Sequence, residues 1–168
     1  MFSHRVTIPI RDELGRLVGV KGRLVWDEVD VQKPKYLYLF QCAKSRILYG
    51  LYKTLPYIQE QNEIIICESE KGVMQLWDMG FKNAVGVGGH CLSDWQVTLI
   101  AQTGANKVII AYDKDILEDE VIKECKKLSP FRQVEYILDT DNILNEKESP
   151  MDEPEKWKQL YETRKIIL

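Results

Sequence analysis

The sequence predicts an α/β protein: a parallel sheet flanked by helices and preceded by a small β-rich segment. Three observations lead there. Ile64-Ile65-Ile66-Cys67-Glu68 and Val108-Ile109-Ile110-Ala111-Tyr112-Asp113-Lys114-Asp115 are apolar, β-branched runs that end abruptly in carboxylates. They are too short for a helix and too apolar for a surface loop, so each reads as a buried strand. From Asn62 onward, strand-like and helix-like stretches alternate, as in a doubly wound sheet. Before that point the chain reads as a hairpin, not as alternating units.

Taken in order, residues 4–10 read as a strand, and Pro9 suggests an edge or terminal position. Asp12-Glu13-Leu14-Gly15-Arg16 has turn chemistry, and Leu17 to Val25 returns as the second strand of a hairpin. Gly19 and Gly22 in that strand mark bulges or the close approach of another backbone. A polar connection runs from Asp27 to Lys33, followed by Pro34-Lys35-Tyr36-Leu37-Tyr38-Leu39-Phe40 and the basic Lys44-Ser45-Arg46. Residues 47–60 carry a helix as far as Pro56, or one split by it. Strands are expected near 63–67, 83–87, 107–112 and 133–138, and helices near 70–79, 93–103 and 116–128. The helix at 70–79 has Val73, Leu76 and Trp77 on one face, and Gly80 ends it. Ser93 with Gln96 three residues on is a capping box. After Asp139 the chain is acidic and loop-like until Pro154, and a last helix from about 155 to 166 buries Trp157, Leu160 and Tyr161.

The 168 residues suit one domain, or one and a half. The formal charge of -3 argues against a generally basic nucleic-acid binder, so any basic surface must be local. Lys and Arg outnumber Asp and Glu before residue 54, whereas the acids lead after Asp113. The four cysteines are far apart and the two histidines lie outside metal-ligand spacing, so zinc has little support. Cys67 reads as a small buried hydrophobe and the compartment as reducing and cytoplasmic. Neither a transmembrane-length segment nor a signal peptide is evident.

Chemistry concentrates where the two apolar runs end. In open α/β sheets, ligands bind at the carboxyl ends of parallel strands, where Glu68, Asp113 and Asp115 are expected. Three converging carboxylates repel one another, and a hard divalent cation is the usual remedy. The same residues also have plainer readings: Glu68 as a strand-end acid facing a helix N-terminus, and the aspartates as turn or N-cap residues. Gly86-x-Gly88-Gly89 lacks the Lys-Ser/Thr of a P-loop and instead lets a loop pass close to the site.

Several stretches together resemble the catalytic core of DnaG-type DNA primases, with its TOPRIM metal-binding subdomain. Arg5-Val6-Thr7-Ile8-Pro9-Ile10-Arg11-Asp12, then Gly15-Arg16-Leu17-Val18-Gly19 and Gly22-Arg23, is similar to that family's Arg-x-x-x-Pro-Ile-Arg-Asp, Gly-Arg-x-x-Gly and Gly-Arg stretch. Pro34-Lys35-Tyr36-Leu37 resembles its Pro-Lys-Tyr-Leu, and Lys44-Ser45-Arg46-Ile47-Leu48-Tyr49-Gly50-Leu51 its Lys-Gly-Arg-x-Leu-Tyr-Gly-Leu. Glu68 falls at the TOPRIM glutamate, Gly88-Gly89-His90 with Leu92-Ser93 at its Gly-Thr-x-Leu-Thr, and Asp113-Lys114-Asp115 at its Asp-x-Asp. The matches keep the family's order over residues 5–152. The glycine-histidine variant and Glu-Ser-Glu-Lys resemble phage-encoded primases more than the housekeeping enzyme. Two departures stand out. The family's aspartate four residues after the glutamate is replaced by Gly72, and its final Asp-Pro-Asp survives loosely, as Glu148-Ser149-Pro150-Met151-Asp152 or as Asp139-Thr140-Asp141.

The resemblance implies a TOPRIM-type parallel sheet behind a small β-rich segment of the primase core. It divides the chain into a basic β-rich part at 1–60, the TOPRIM subdomain at 61–145, and a closing acidic loop and helix at 146–168. The implied activity is synthesis of RNA primers on single-stranded DNA from ribonucleoside triphosphates, with Mg²⁺ or Mn²⁺ as cofactor and a replicative helicase as a further partner. Glu68, Asp113 and Asp115 would be catalytic and metal-binding, and Glu148 and Asp152 would complete a second metal site. Arg5, Arg23, Lys35, Lys44, Arg46 and His90 would contact nucleotide or template, with Arg11 beside them. The family's zinc ribbon and helicase-binding region fall outside these residues, so the chain reads as a fragment or reduced relative that polymerises weakly alone. The alternatives are a TOPRIM-type nuclease or topoisomerase-like enzyme, and a non-catalytic nucleic-acid-binding replication module.

Overall fold

The structure, a computed structural model, describes residues 4–25, 34–146 and 148–167. Strands β1 (Arg5–Arg11), β2 (Leu17–Leu24) and β3 (Tyr36–Phe40) form an antiparallel sheet in that order. The expected hairpin is there, closed at Gly15 by a left-handed backbone with φ of 80°. The Asp27–Lys33 connection lies outside the described residues. The β2–β3 register shifts between Val20 and Lys21, between the two glycines that suggested a bulge. A Cβ at Gly19 would lie 2.9 Å from the Cys42 side chain, so that glycine marks the close approach of another segment.

A 3-10 turn, Lys44–Arg46, leads into α1 (Leu51–Gln61). Pro56 neither ends nor splits this helix: it is exposed, while Leu51, Thr54 and Ile58 on the opposite side are buried. That buried face holds the helix together despite the hydrogen bond proline removes. The expected alternation follows as β4 (Glu63–Cys67), α2 (Glu70–Asp78), β5 (Ala84–Gly86), α3 (Asp94–Gln102), β6 (Lys107–Ala111), α4 (Glu118–Leu128) and β7 (Gln133–Tyr136). The last helix, α5 (Pro154–Glu162), stops sooner than its apolar pattern suggested. Beyond it Lys165–Ile166 forms β8, antiparallel to β7, and Arg164 pairs with the buried Glu135. The chain thereby covers a sheet edge that would otherwise be open.

The larger sheet runs β5-β4-β6-β7-β8, with the first four strands parallel. Ile64, Ile66, Val108 and Ile110 point to one face, where α1, α3 and α4 contribute Leu51, Ile58, Ile100, Cys125 and Leu128. Ile65, Cys67, Ile109 and Ala111 point to the other, against Leu76 of α2 and Trp157 and Leu160 of α5. Successive strand residues thus fill opposite cores, which is why these strands carry no polar alternation. Helix α1 lies almost wholly before residue 61, yet it packs on this larger sheet. Among the described residues, no helix is long and apolar enough to cross a membrane.

Candidate metal centre and basic face

The strand order locates a crevice. The chain passes from β4 outward to β5, then crosses over β4 to β6 and continues to β7, so the winding direction reverses between β4 and β6. Ligands of doubly wound sheets bind at such a reversal, beyond the carboxyl ends of the strands. Cys67 and Ala111 are register partners at the ends of the two strands, so Glu68 and Asp113 emerge side by side.

Glu68, Asp113 and Asp115 each offer an oxygen within 4.8 Å of the others. Glu68 and Asp113 are half-buried and Asp115 is exposed. The Asp113 N–H donates to Glu68 Oε1 at 2.7 Å, tying one strand end to the other. Burial first, then the charges of Asp113 and Asp115, push the Glu68 carboxyl above its ordinary range, against the backbone hydrogen bond that favours ionisation. Asp113 is pushed up by burial first and by Asp115 and Asp152, against a hydrogen bond from Ser149 and the charge of Lys71. Among the described residues no ion pair joins a cationic side chain to any of the three acids. Lys114, between the two aspartates, turns away to Asp139, Asn142 and the Leu144 carbonyl. A convergent, partly desolvated, oxygen-only donor set without a lysine counterion fits a hard divalent cation.

The loop after β5 closes over this point. The Gly88 and Gly89 N–H groups donate to the Glu68 carbonyl at 2.8 and 3.1 Å, and Gly88 has φ of 74°, which a side chain would resist. The Lys44 stem lies where a Cβ on Gly88 would meet it at 3.6 Å. The turn carrying Lys44 is fixed by Gln96 Nε2, which donates to the carbonyls of Lys44, Ile47 and Val87 at 3.2, 2.9 and 3.0 Å. The capping box expected at Ser93 and Gln96 therefore has a second use, since Gln96 also anchors the basic turn. His90 is exposed and close enough for its charge to favour ionised Glu68.

The other basic residues fall into two groups. Arg46 is exposed and stacks on Trp95, 5.5 Å from the ring centre. Arg23 and Lys35 lie at one end of the small sheet, where the Leu24 N–H donates to the Lys35 carbonyl. Arg5 is committed differently: its guanidinium donates to the carbonyls of Gly22, Pro34 and Lys35 at 3.1, 2.8 and 3.2 Å, which fastens the backbone beneath Lys35. Arg11 likewise donates to the Gly15 carbonyl.

Glu148 and Asp152 do not join the trio. Both Glu148 oxygens accept from Lys156 at 2.9 Å, and Asp152 accepts from Lys71 and Gln75. Asp139, the other candidate, is held by Lys114 and by the N–H groups of Ile143 and Leu144. Two participants escaped the sequence reading. Lys71 reaches the last acidic loop, and Lys21 reaches Glu70 at 2.7 Å, from a strand of one sheet to a helix of the other. The only available signal for Lys71 was its place within Glu-Ser-Glu-Lys, three residues after the candidate ligand.

These features define a class: a doubly wound TOPRIM-type domain with an acidic centre at the strand reversal and a basic antiparallel sheet beside it. The comparisons narrow the class. The DNA primase of Deinococcus radiodurans is 36% identical over 68% of this chain and 20% of its own length. That of Halalkalibacterium halodurans is 36% identical over 68% and 19%. A SPbeta prophage-derived uncharacterised protein of Bacillus subtilis is 28% identical over 96% of this chain and 49% of its own. Among solved structures, the Aquifex aeolicus primase (zinc-binding and RNA polymerase domains) superposes with a TM-score of 0.77 at 27% identity, over 99% of this chain and 41% of that one. The DnaG primase catalytic domain bound to single-stranded DNA gives 0.76 at 27%, over 97% and 52%. No family model matches the chain. By sequence and by fold, the chain is a relative of the DnaG-type DNA primases and matches part of their catalytic core. It spans about a fifth of the length of the primases it matches.

Proposed function

We propose that this chain is a catalytic part of a primase, joining ribonucleotides into RNA primers on single-stranded DNA. The observation that carries this reading is the meeting of Glu68, Asp113 and Asp115 at the strand reversal, beside the loop that seats Lys44. We assign the three carboxylates to holding Mg²⁺ or Mn²⁺. Bound there, such an ion supplies Lewis-acid charge to a nucleoside triphosphate and helps bring an attacking 3′-hydroxyl into line. Lys44 is placed to contact nucleotide phosphate, and His90 to donate to the same group. Arg46 with Trp95, together with Arg23 and Lys35, gives the template a cationic and aromatic path suited to single strands, while Arg5 and Arg11 hold the backbone of that path. Glu148, already paired with Lys156, acts in loop architecture.

In functional terms we keep three units: a basic β-rich part within 1–60, the TOPRIM subdomain at 61–145, and a closing segment at 146–168. The partners assigned are template DNA and ribonucleoside triphosphates, with a replicative helicase to present the template in the cytoplasm. The broad match to a prophage-derived protein favours a phage-type version of the enzyme.

The test is template-dependent incorporation of labelled ribonucleotides by the wild-type chain, Glu68→Gln and Lys44→Ala. Loss in both variants with unchanged circular dichroism supports catalysis. Incorporation by Glu68→Gln at the wild-type rate refutes it, and template binding without incorporation by any of the three indicates a docking module. Metal-dependent template cleavage would instead indicate a TOPRIM-type nuclease.

A further inference from the structure

Phosphoryl-transfer sites of the two-metal kind hold their cations about 3.5–4 Å apart, with carboxylates around both. The trio of acids gives this chain one such cluster. The ground next to it, on the side of Asp113, is built otherwise. The Lys114 N–H donates to the Glu148 carbonyl at 3.5 Å, which brings the loop carrying Ser149 and Asp152 beside Asp113, whose carboxyl feels both. The Ser149 N–H donates to Asp152 Oδ2 at 3.2 Å, and Asp152 Oδ1 accepts from Gln75 Nε2 at 3.0 Å and from the Lys71 ammonium. Both oxygens of Asp152 are thus in use, and the charge beside it is a lysine on the first turn of α2.

Packing fixes this arrangement. A Cβ at Gly72 would come within 2.9 Å of Met151 Cε and 3.3 Å of Cys67 Cβ, with Met151 and Cys67 both buried. The loop therefore sits directly on α2, and position 72, a glycine, supplies no carboxylate. The remaining acids nearby are taken: Glu148 by Lys156, and Asp139 by Lys114.

We propose that the Lys71 ammonium stands in for a second divalent cation next to Asp113 and Asp152, so that the chain takes one Mg²⁺ or Mn²⁺, not two. This rests on the assignment of the trio as a metal site. An ammonium is a compact cation with three donors, suited to neutralising Asp152 and the phosphate that approaches it. Unlike a metal it adds no coordination sites, so ligand exchange is confined to the ion held by Glu68, Asp113 and Asp115.

The experiment is Mn²⁺ titration of the whole chain at fixed ionic strength, with free Mn²⁺ read by electron paramagnetic resonance. The Lys71 side chain is 45% exposed and that of Asp152 27%, so substitution there leaves no core cavity, and circular dichroism checks the fold. The wild type is expected to bind one Mn²⁺ and Lys71→Arg also one. Lys71→Ala is expected to gain a second, weaker ion, and Lys71→Ala with Asp152→Asn to return to one. Two ions in the wild type, or a single ion in Lys71→Ala with its fold intact, would overturn the proposal. No Mn²⁺ bound by the wild type overturns the metal assignment itself, an outcome distinct from either of these.

Discussion

Glu68 is pulled in two directions, and the balance sets its pH behaviour. Burial and two neighbouring aspartates raise its pKa, and burial raises that of Asp113, so the folded state holds these protons more tightly than the unfolded chain does. The sign follows from linkage: with the folded pKa above the unfolded one, the ionised pair destabilises the metal-free protein at neutral pH. Stability is regained as pH falls through the raised folded values toward the ordinary carboxylate values. Cation affinity moves the opposite way over the same window, because the ion needs both groups ionised. Mn²⁺ binding is therefore expected to release protons and to weaken on acidification at a pH above that at which ordinary carboxylates titrate. Calorimetric titrations in buffers of different ionisation enthalpy would detect the release, and an affinity independent of pH down to the ordinary carboxylate range would contradict it. In Glu68→Gln, which keeps an oxygen for the Asp113 N–H, the metal-free protein should be at least as stable as wild type at pH 7. At a hundredfold excess over Kd, Mn²⁺ should stabilise the wild type by about 2.7 kcal/mol. Glu68→Gln should gain almost nothing, as thermal unfolding with and without the ion would show.

Among the elements, β5 is the shortest of the parallel strands, and its last residue controls the approach of the loop that covers the acids. A Cβ on Gly86 would lie 3.1 and 3.3 Å from the carbonyl oxygen and carbon of Ser69 and 3.4 Å from Tyr49 Cβ. Ser69 caps α2 directly after Glu68, and Tyr49 exchanges both backbone hydrogen bonds with Gly86. Gly86→Ala meets the Ser69 backbone on one side and the Tyr49 side chain on the other, and should cost about 1–3 kcal/mol in urea unfolding. It should also weaken Mn²⁺ binding by displacing Ser69, and a loss below a few tenths of a kcal/mol would show that the loop yields freely. The same element scale shows what the sequence makes legible. Strands β4 and β6 stand out because both faces are buried, so their apolar runs are unbroken and the carboxylates at their ends are conspicuous. The α3 start stands out because Ser93 and Gln96 write the capping box locally. By contrast, β8 has two residues, and it is a strand only because β7 presents an open edge, which no local pattern records. The unbroken α1 depends on burial opposite Pro56, which is also tertiary information. The partners of Asp152 are invisible for a like reason: Lys71 meets it across 81 positions of chain.

At the scale of the molecule, the acids belong to one sheet and much of the basic surface to the other, so function needs the two held in register. The described contacts include the Tyr49–Gly86 bridge and one ion pair, Lys21 with Glu70 at 2.7 Å, whose side chains are 16% and 5% exposed. Lys21 directly follows the register shift in β2 and stays paired, with Ile8 on one side and Tyr38 on the other. Its ammonium lies 4.8 Å from the Tyr36 ring centre and 5.7 Å from that of Tyr38, with Glu70 beyond. The small sheet has a thin core of its own, in which Ile8, Ile10 and Ile47 are buried and Val18, Tyr36, Cys42 and Tyr49 pack against them. Removing one partner of a buried pair leaves the other charge desolvated and alone, which costs about 3–5 kcal/mol, whereas removing both can be nearly neutral. Lys21→Met is thus expected to lose on the order of 3 kcal/mol in urea unfolding. Lys21→Met combined with Glu70→Gln should recover most of that loss, giving a large coupling energy in the double-mutant cycle. Loss of the pair should also weaken single-stranded template binding more than Mn²⁺ binding, since the trio lies wholly within the larger sheet while the path for DNA spans both. Additive single effects of a few tenths of a kcal/mol would mean that the two sheets keep their register without this pair, and that the Tyr49–Gly86 bridge suffices to align the basic face with the acids.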